Sequence, residues 1–306
     1  MSIKATFKES SFIVQILIVI SVFVFGLMSA SMFSLLFLSI KNGTSIEDLY
    51  EILQNVGDYP SILRQTQFFG VIGQFIFPSI VCAWLFSDNY KEYLQIDTPV
   101  QLSVAIWTFV SILVAIPFFN FTYHLNQQMV FPEALKGLED WMKAAEESTS
   151  QLLEKMLYAE NIGILLFNIG VVAILTGIGE EFMFRGLLQK MFEKFIKNPH
   201  TIIWIVAIIF STIHFQFYGF LPRMLLGAYF GYLLYYTKTI WIPVLAHFTH
   251  NCFGVVATYI FQDSPQEIQN MDAIGTGSTW WLAVASLALF VFCFSKIRLN
   301  QIKGTD

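Results

Sequence analysis

Charge is scarce in this chain: Asp, Glu, Lys and Arg make up 13% of its 306 residues, against 56% hydrophobic and 17% aromatic ones. A soluble domain of that length must cover its surface with polar groups, so this composition excludes one. Cysteine is scarce too. Cys82, Cys252 and Cys293 each sit inside an apolar run without Cys-x-x-Cys spacing. That pattern excludes a disulfide framework and a thiolate zinc site, and leaves small buried apolar residues. No long basic run offers a nucleic-acid surface, the net charge of −5 is modest, and no nucleotide-cofactor motif is present. The alternating pattern of a membrane β-barrel is absent as well.

What is present is a series of long apolar runs, several of which reach the ~20 residues that a helix needs to cross a hydrocarbon core. The runs are Phe12–Ile40, Phe68–Phe86, Val100–Phe119, Asn161–Gly179, Thr201–Phe215, Leu221–Tyr236, Ile240–Tyr259 and Trp280–Ser295. The chain therefore reads as all-α: a polytopic membrane bundle of about eight transmembrane helices. The first run is too long for a signal-peptide core and is expected to be a retained anchor. Thr201–Phe215 and Leu221–Tyr236 are shorter than a full crossing and need shielding by neighbours. Pro78 predicts a kink in the second span.

Between the runs, a polar connection at Asn42–Gln67 carries Glu47, Asp48, Glu51 and Asp58. Asn120–Glu160 spaces Leu135, Leu138, Met142 and Met156 at near-helical intervals among charges, predicting an amphipathic helix or hairpin that begins near Pro132. A structural lid is the reading favoured for it, with substrate gating as the alternative. Gly186–Pro199, with three lysines, predicts an interfacial helix, and Gly227 and Gly231 form a GxxxG pair suited to close helix packing. Lysine and arginine gather on the side of the two termini, so both termini are expected in the cytoplasm. The segments 1–160, 161–260 and 261–306 read as one integrated domain.

Three polar clusters interrupt the apolar second half. The first is Glu180-Glu181 with Arg185. A charge at bilayer depth costs about 2.5–3.5 kcal/mol, so such groups need partners and usually a task. On a helix Glu181 and Arg185 share a face and can pair, whereas Glu180 is turned about 100° away and stays free. The second is Phe210-Ser-Thr-Ile-His214. The third is His247-Phe-Thr-His-Asn251, where His247 and Asn251 share a face and His250 lies near that arc. A lone membrane histidine is more often packed than catalytic. Three clusters together supply a carboxylate, imidazoles and a carboxamide, the groups that activate a water and stabilise an oxyanion.

The order Glu-Glu-x-x-x-Arg, Phe-x-x-x-His, His-x-x-x-Asn resembles the CPBP family, the CAAX proteases and bacteriocin-processing enzymes also called type II CAAX prenyl endopeptidases or Rce1-like proteases. The likeness covers about Asn161–Gly254. It implies an intramembrane endopeptidase of a bacterial cell membrane whose substrate is a membrane-anchored protein or peptide. It implies Glu180 as general base, His214 helping to hold the water, and His247 and Asn251 on the oxyanion, with Glu181 and Arg185 in support. Burial makes an unpaired carboxylate the more basic, which agrees with Glu180, but the two glutamates can be exchanged in this assignment. Members of the family have been described as metalloproteases. A zinc version would use Glu180, His214 and His247; the absence of His-Glu-x-x-His and the presence of Asn251 favour a metal-free site without cofactor. His124 and His200 are expected to be ordinary interfacial residues. A proton-coupled transporter and a non-proteolytic scaffold or immunity protein are the alternatives, because buried carboxylates and histidines also build proton relays.

Overall fold

The computed structural model describes residues 3–43, 45, 48, 52 and 54–303. Glu47 and Glu51 of the first polar connection lie outside the described residues. The chain is 82% helical with no strand among the described residues. The main elements are α1 (Phe12–Asn42), α2 (Pro60–Phe86), α3 (Leu102–Val114), α4 (Ile116–Gln127), α5 (Lys136–Leu157), α6 (Ile162–Glu193), α7 (Pro199–Thr212), α8 (Phe220–Thr237), α9 (Trp241–Phe261), α10 (Pro265–Asp272) and α11 (Trp280–Lys303).

Each of the eight apolar runs is helical, but fewer than eight qualify as full crossings. Among the described residues, 5 helices are long and apolar enough to span a membrane, or up to 6 if the bent pair α3–α4 is one span. That pair bends by 45° where Pro117 interrupts the hydrogen-bond ladder. α7 has 14 residues and α8 has 18 with several polar side chains, and both are packed among neighbours. Pro78 is accommodated in α2 by widened π-helical turns at Ile72–Ile76.

Two boundaries differ from the sequence reading. The fourth run does not end at Gly179: α6 continues to Glu193, 32 residues in all, so the glutamate pair lies near its middle. The interfacial helix expected at Gly186–Pro199 is instead the last two turns of α6, a short turn, and the start of α7. Arg185 is fully buried and paired inside the bundle, so its charge does not terminate the span. The third span likewise runs on to Gln127, and the amphipathic segment is one 22-residue helix, α5, rather than a hairpin.

α6 lies between two apolar cores. On one side Met183, Phe184 and Leu187 pack with Val19 of α1, Cys82 and Phe86 of α2, and Ile202, Val206 and Phe210 of α7. On the other, α3, α8, α9 and α11 share a core around Ile112, Tyr229, Phe230, Ile242 and Ile297. α5 lies over one end: the Arg64 guanidinium of α2 donates to its Met156 carbonyl at 2.9 Å. Its Trp141 ring meets Phe217, with centroids 5.3 Å apart, and Glu146 accepts from the Tyr218 N–H at 2.6 Å.

Candidate active site

Arg185 is the largest fully buried side chain among the described residues, and its neighbours show how an apolar bundle holds a guanidinium. Nη1 donates to Glu181 Oε1 at 2.9 Å and Nη2 to the Gly227 carbonyl of α8 at 2.8 Å. The faces of Phe210 and Phe230 lie 4.7 and 5.3 Å from the guanidinium carbon, so the cation also rests on two ring quadrupoles. One turn on, Gln189 donates to the Gly231 carbonyl at 3.3 Å. The GxxxG pair of α8 thus does more than let helices approach. A Cβ on Gly227 would stand 3.0 Å from the Phe210 ring and 3.3 Å from Arg185 Nη2, so bare backbone is needed at that spot.

Glu181 is fixed twice, because its Oε1 also lies 2.8 Å from His247 Nδ1. With Glu181 ionised against Arg185, His247 donates from Nδ1. Its ring stacks on Phe230 at 5.1 Å, which fixes the plane. His214 is oriented by a different device: Nδ1 lies 2.7 Å from the Phe210 carbonyl, which can only accept. Each Nδ1 is therefore the donor, and in the neutral ring each Nε2 presents a lone pair. Both point at one atom. Glu180 Oε2 is 3.9 Å from His214 Nε2 and 3.8 Å from His247 Nε2. Three acceptors facing one another across nearly 4 Å leave a place for hydrogen from a bound molecule or an added proton.

The sequence-predicted residues Glu180, Glu181, Arg185, His214 and His247 are thus brought together by α6, α9 and the loop after α7. Asn251 lies one turn beyond His247 and donates one amide hydrogen to the Val172 carbonyl of α6 at 3.0 Å. His250 faces away, into a small cavity with Asn120, Tyr123 and Arg223. His124 and His200 lie outside the cluster, beside Gln128 and the Tyr232 hydroxyl respectively.

A zinc ion with bonds near 2.0–2.1 Å would hold ligand atoms about 3.3 Å apart. The separations of 3.8 and 3.9 Å to Glu180 are wider. Among the described residues no group of three or more His, Cys, Asp or Glu is arranged to hold a metal ion. The donor set as placed does not fit zinc.

Glu180 and His214 also end an apolar groove of about 670 Å³ between α1, α2, α6 and α7. Gln74 is its one other polar lining residue; the remainder includes Ile16, Phe23, Phe75, Phe184 and Ile213. The groove and Gln74 escaped the sequence reading, since lipid-facing and groove-facing phenylalanines look alike in one dimension.

Residues 162–253 match the family model described as type II CAAX prenyl endopeptidase Rce1-like. No curated protein and no solved structure matches the chain. All the residues converging on Glu180 fall inside the matched segment, and this polytopic helical membrane protein carries there a domain of the Rce1-like family of CAAX-type membrane proteases.

Proposed function

We propose that the chain is an intramembrane endopeptidase in which Glu180 is the general base that activates water, without a metal. The carrying observation is the convergence of His214 Nε2 and His247 Nε2 on Glu180 Oε2 at the end of an apolar groove. A water between them donates one hydrogen to Glu180 and one to His214. As its oxygen bonds to the scissile carbonyl carbon, Glu180 takes the first proton and the carbonyl oxygen becomes an oxyanion. When the C–N bond breaks, Glu180 returns that proton to the leaving amine.

The oxyanion needs donors. Asn251 has a second amide hydrogen beyond the one given to Val172. His247, its Nδ1 held by Glu181 and its Nε2 turned toward Glu180, is the second group placed beside it.

The groove suits a substrate presented from the bilayer with an apolar or prenyl-like chain beside the cleaved peptide. Its walls offer Ile16, Phe23 and Phe184 to such a chain and nothing charged except the residues of the cluster. With both termini in the cytoplasm, as the distribution of lysine and arginine supports, that substrate is membrane-anchored. The test is cleavage of a library of membrane-anchored peptides in liposomes by the wild type, Glu180→Ala and His214→Ala, with and without a chelator. Cleavage lost in both variants and unaffected by chelation is expected. Loss on chelation with rescue by zinc would replace the mechanism with a metal-dependent one; proton flux altered in the variants, without cleavage by the wild type, would replace the function.

A further inference from the structure

A second cavity, of about 560 Å³, opens at the other side of the bundle. It lies where α1 ends and where α2 and α6 begin, so three spans meet the membrane surface there. Its lining is sorted by depth. Lys41 is in the last turn of α1 and Arg64 and Gln65 in the opening turns of α2, while the exposed Phe37, Phe68 and Phe167 stand about a turn further along the spans.

Among the described residues, no carboxylate is within ion-pair distance of Lys41 or Arg64. Glu160 is the acid within electrostatic reach of Arg64. Arg64 gives Nε to the Met156 carbonyl and Nη2 to that of Tyr158, which leaves Nη1 for another acceptor. Gln65 Oε1 is buried without a donor. Cations at the edge of a low-dielectric slab attract an anion, and aromatic walls beneath them need apolar cover.

We infer that this cavity binds an anionic phospholipid, with its phosphate between Lys41 and Arg64 and its acyl chain along Phe37, Phe68 and Phe167. Inorganic phosphate would satisfy the cations but leave the aromatic walls uncovered. A hydroxyl-bearing headgroup such as glycerol also supplies the donor that Gln65 Oε1 lacks. The inference stands independently of the proteolytic reading, because no residue of the Glu180 cluster lines this cavity.

The experiment is native mass spectrometry of the full chain released from detergent with equal dioleoyl phosphatidylglycerol and dioleoyl phosphatidylcholine. The wild type is expected to retain one phosphatidylglycerol in preference. Lys41→Gln should weaken that retention roughly fivefold, the worth of one interfacial cation. Arg64→Gln should weaken it further, but it also frees the α5 carbonyls, so the exposed Lys41 is the cleaner probe. Lys136→Gln, exposed on α5 outside the cavity, should change nothing. Equal retention of the two lipids, or phosphatidylglycerol retained undiminished by Lys41→Gln, overturns the assignment. Displacement of the lipid by millimolar inorganic phosphate would assign the site to free phosphate and overturn it too.

Discussion

At the scale of single residues, the adjacent glutamates have opposite jobs because one helix sends them to opposite neighbours. Glu181 is held by Arg185 and His247; Glu180 has only the two Nε2 atoms across a gap. Glu180→Gln keeps shape and volume and removes the proposed base. It should lower the cleavage rate by roughly 10²–10⁴-fold, with an unchanged thermal midpoint in detergent. Glu181→Gln strands a buried guanidinium and should cost about 3–5 kcal/mol of stability, read as a large fall in that midpoint. A Glu181→Gln protein that melts normally and loses cleavage, beside an active Glu180→Gln, would exchange the two roles. The pairing of Glu181 with Arg185 was legible from their four-residue spacing. The Gly227 carbonyl and the rings of Phe210 and Phe230 around Arg185 were not, because they arrive from α7 and α8.

At the scale of elements, α8 is specified by what its glycines admit. Gly227→Ala pushes a methyl group against Phe210 and Arg185 Nη2, and Gly231→Ala meets Ile203 at 2.9 Å. Each is expected to destabilise by about 1–3 kcal/mol, measurable by thermal unfolding. Gly227→Ala should in addition slow cleavage, since Phe210 also fixes His214 through its carbonyl. α5 is tied to the loop after His214 by Glu146 and Trp141. Glu146→Ala should therefore speed hydrogen–deuterium exchange at 217–219; unchanged exchange there would show that α5 does not restrain the loop. The amphipathic character of α5 was visible in the spacing of its apolar residues. Its start near Pro132 was visible as well, but the end of the span before it was not, because Asn120–Gln127 continues a bent span whose polar residues find partners: Asn120 donates to the Met271 carbonyl at 2.8 Å and Asn126 to that of Phe217 at 3.1 Å.

At the scale of the whole molecule, two long apolar helices, α1 and α2, frame the groove that leads to Glu180. α1 is mostly exposed along its length and is seated where Gly26 crosses Gly73, whose carbonyl leaves no room for a Cβ on Gly26. Orientation is a property at this scale. An epitope tag on the C-terminus should be removed by protease in inside-out membrane vesicles and protected in right-side-out ones. The reverse pattern would place the termini on the other face and turn the phospholipid cavity toward the cytoplasm.

The sequence by itself determined the solvent and the chemistry. So little charge in so long a chain can fold only in a bilayer, and charges that persist there are confined to clusters whose spacing on a helix names their partners. It also placed the helices, since each apolar run became helical, the third as a bent pair. Tertiary structure decided the rest. Whether a polar residue ends a span depends on what meets it from another helix, which is why Arg185 lies in mid-span and Gly179 is no boundary. Which lone pairs face Glu180 depends on the acceptors that claim each histidine's Nδ1, one a backbone carbonyl four residues back and one a carboxylate 66 residues away. Hydrophobic periodicity records burial but not the partner, and both the gap at Glu180 and the groove beside it are made of partners.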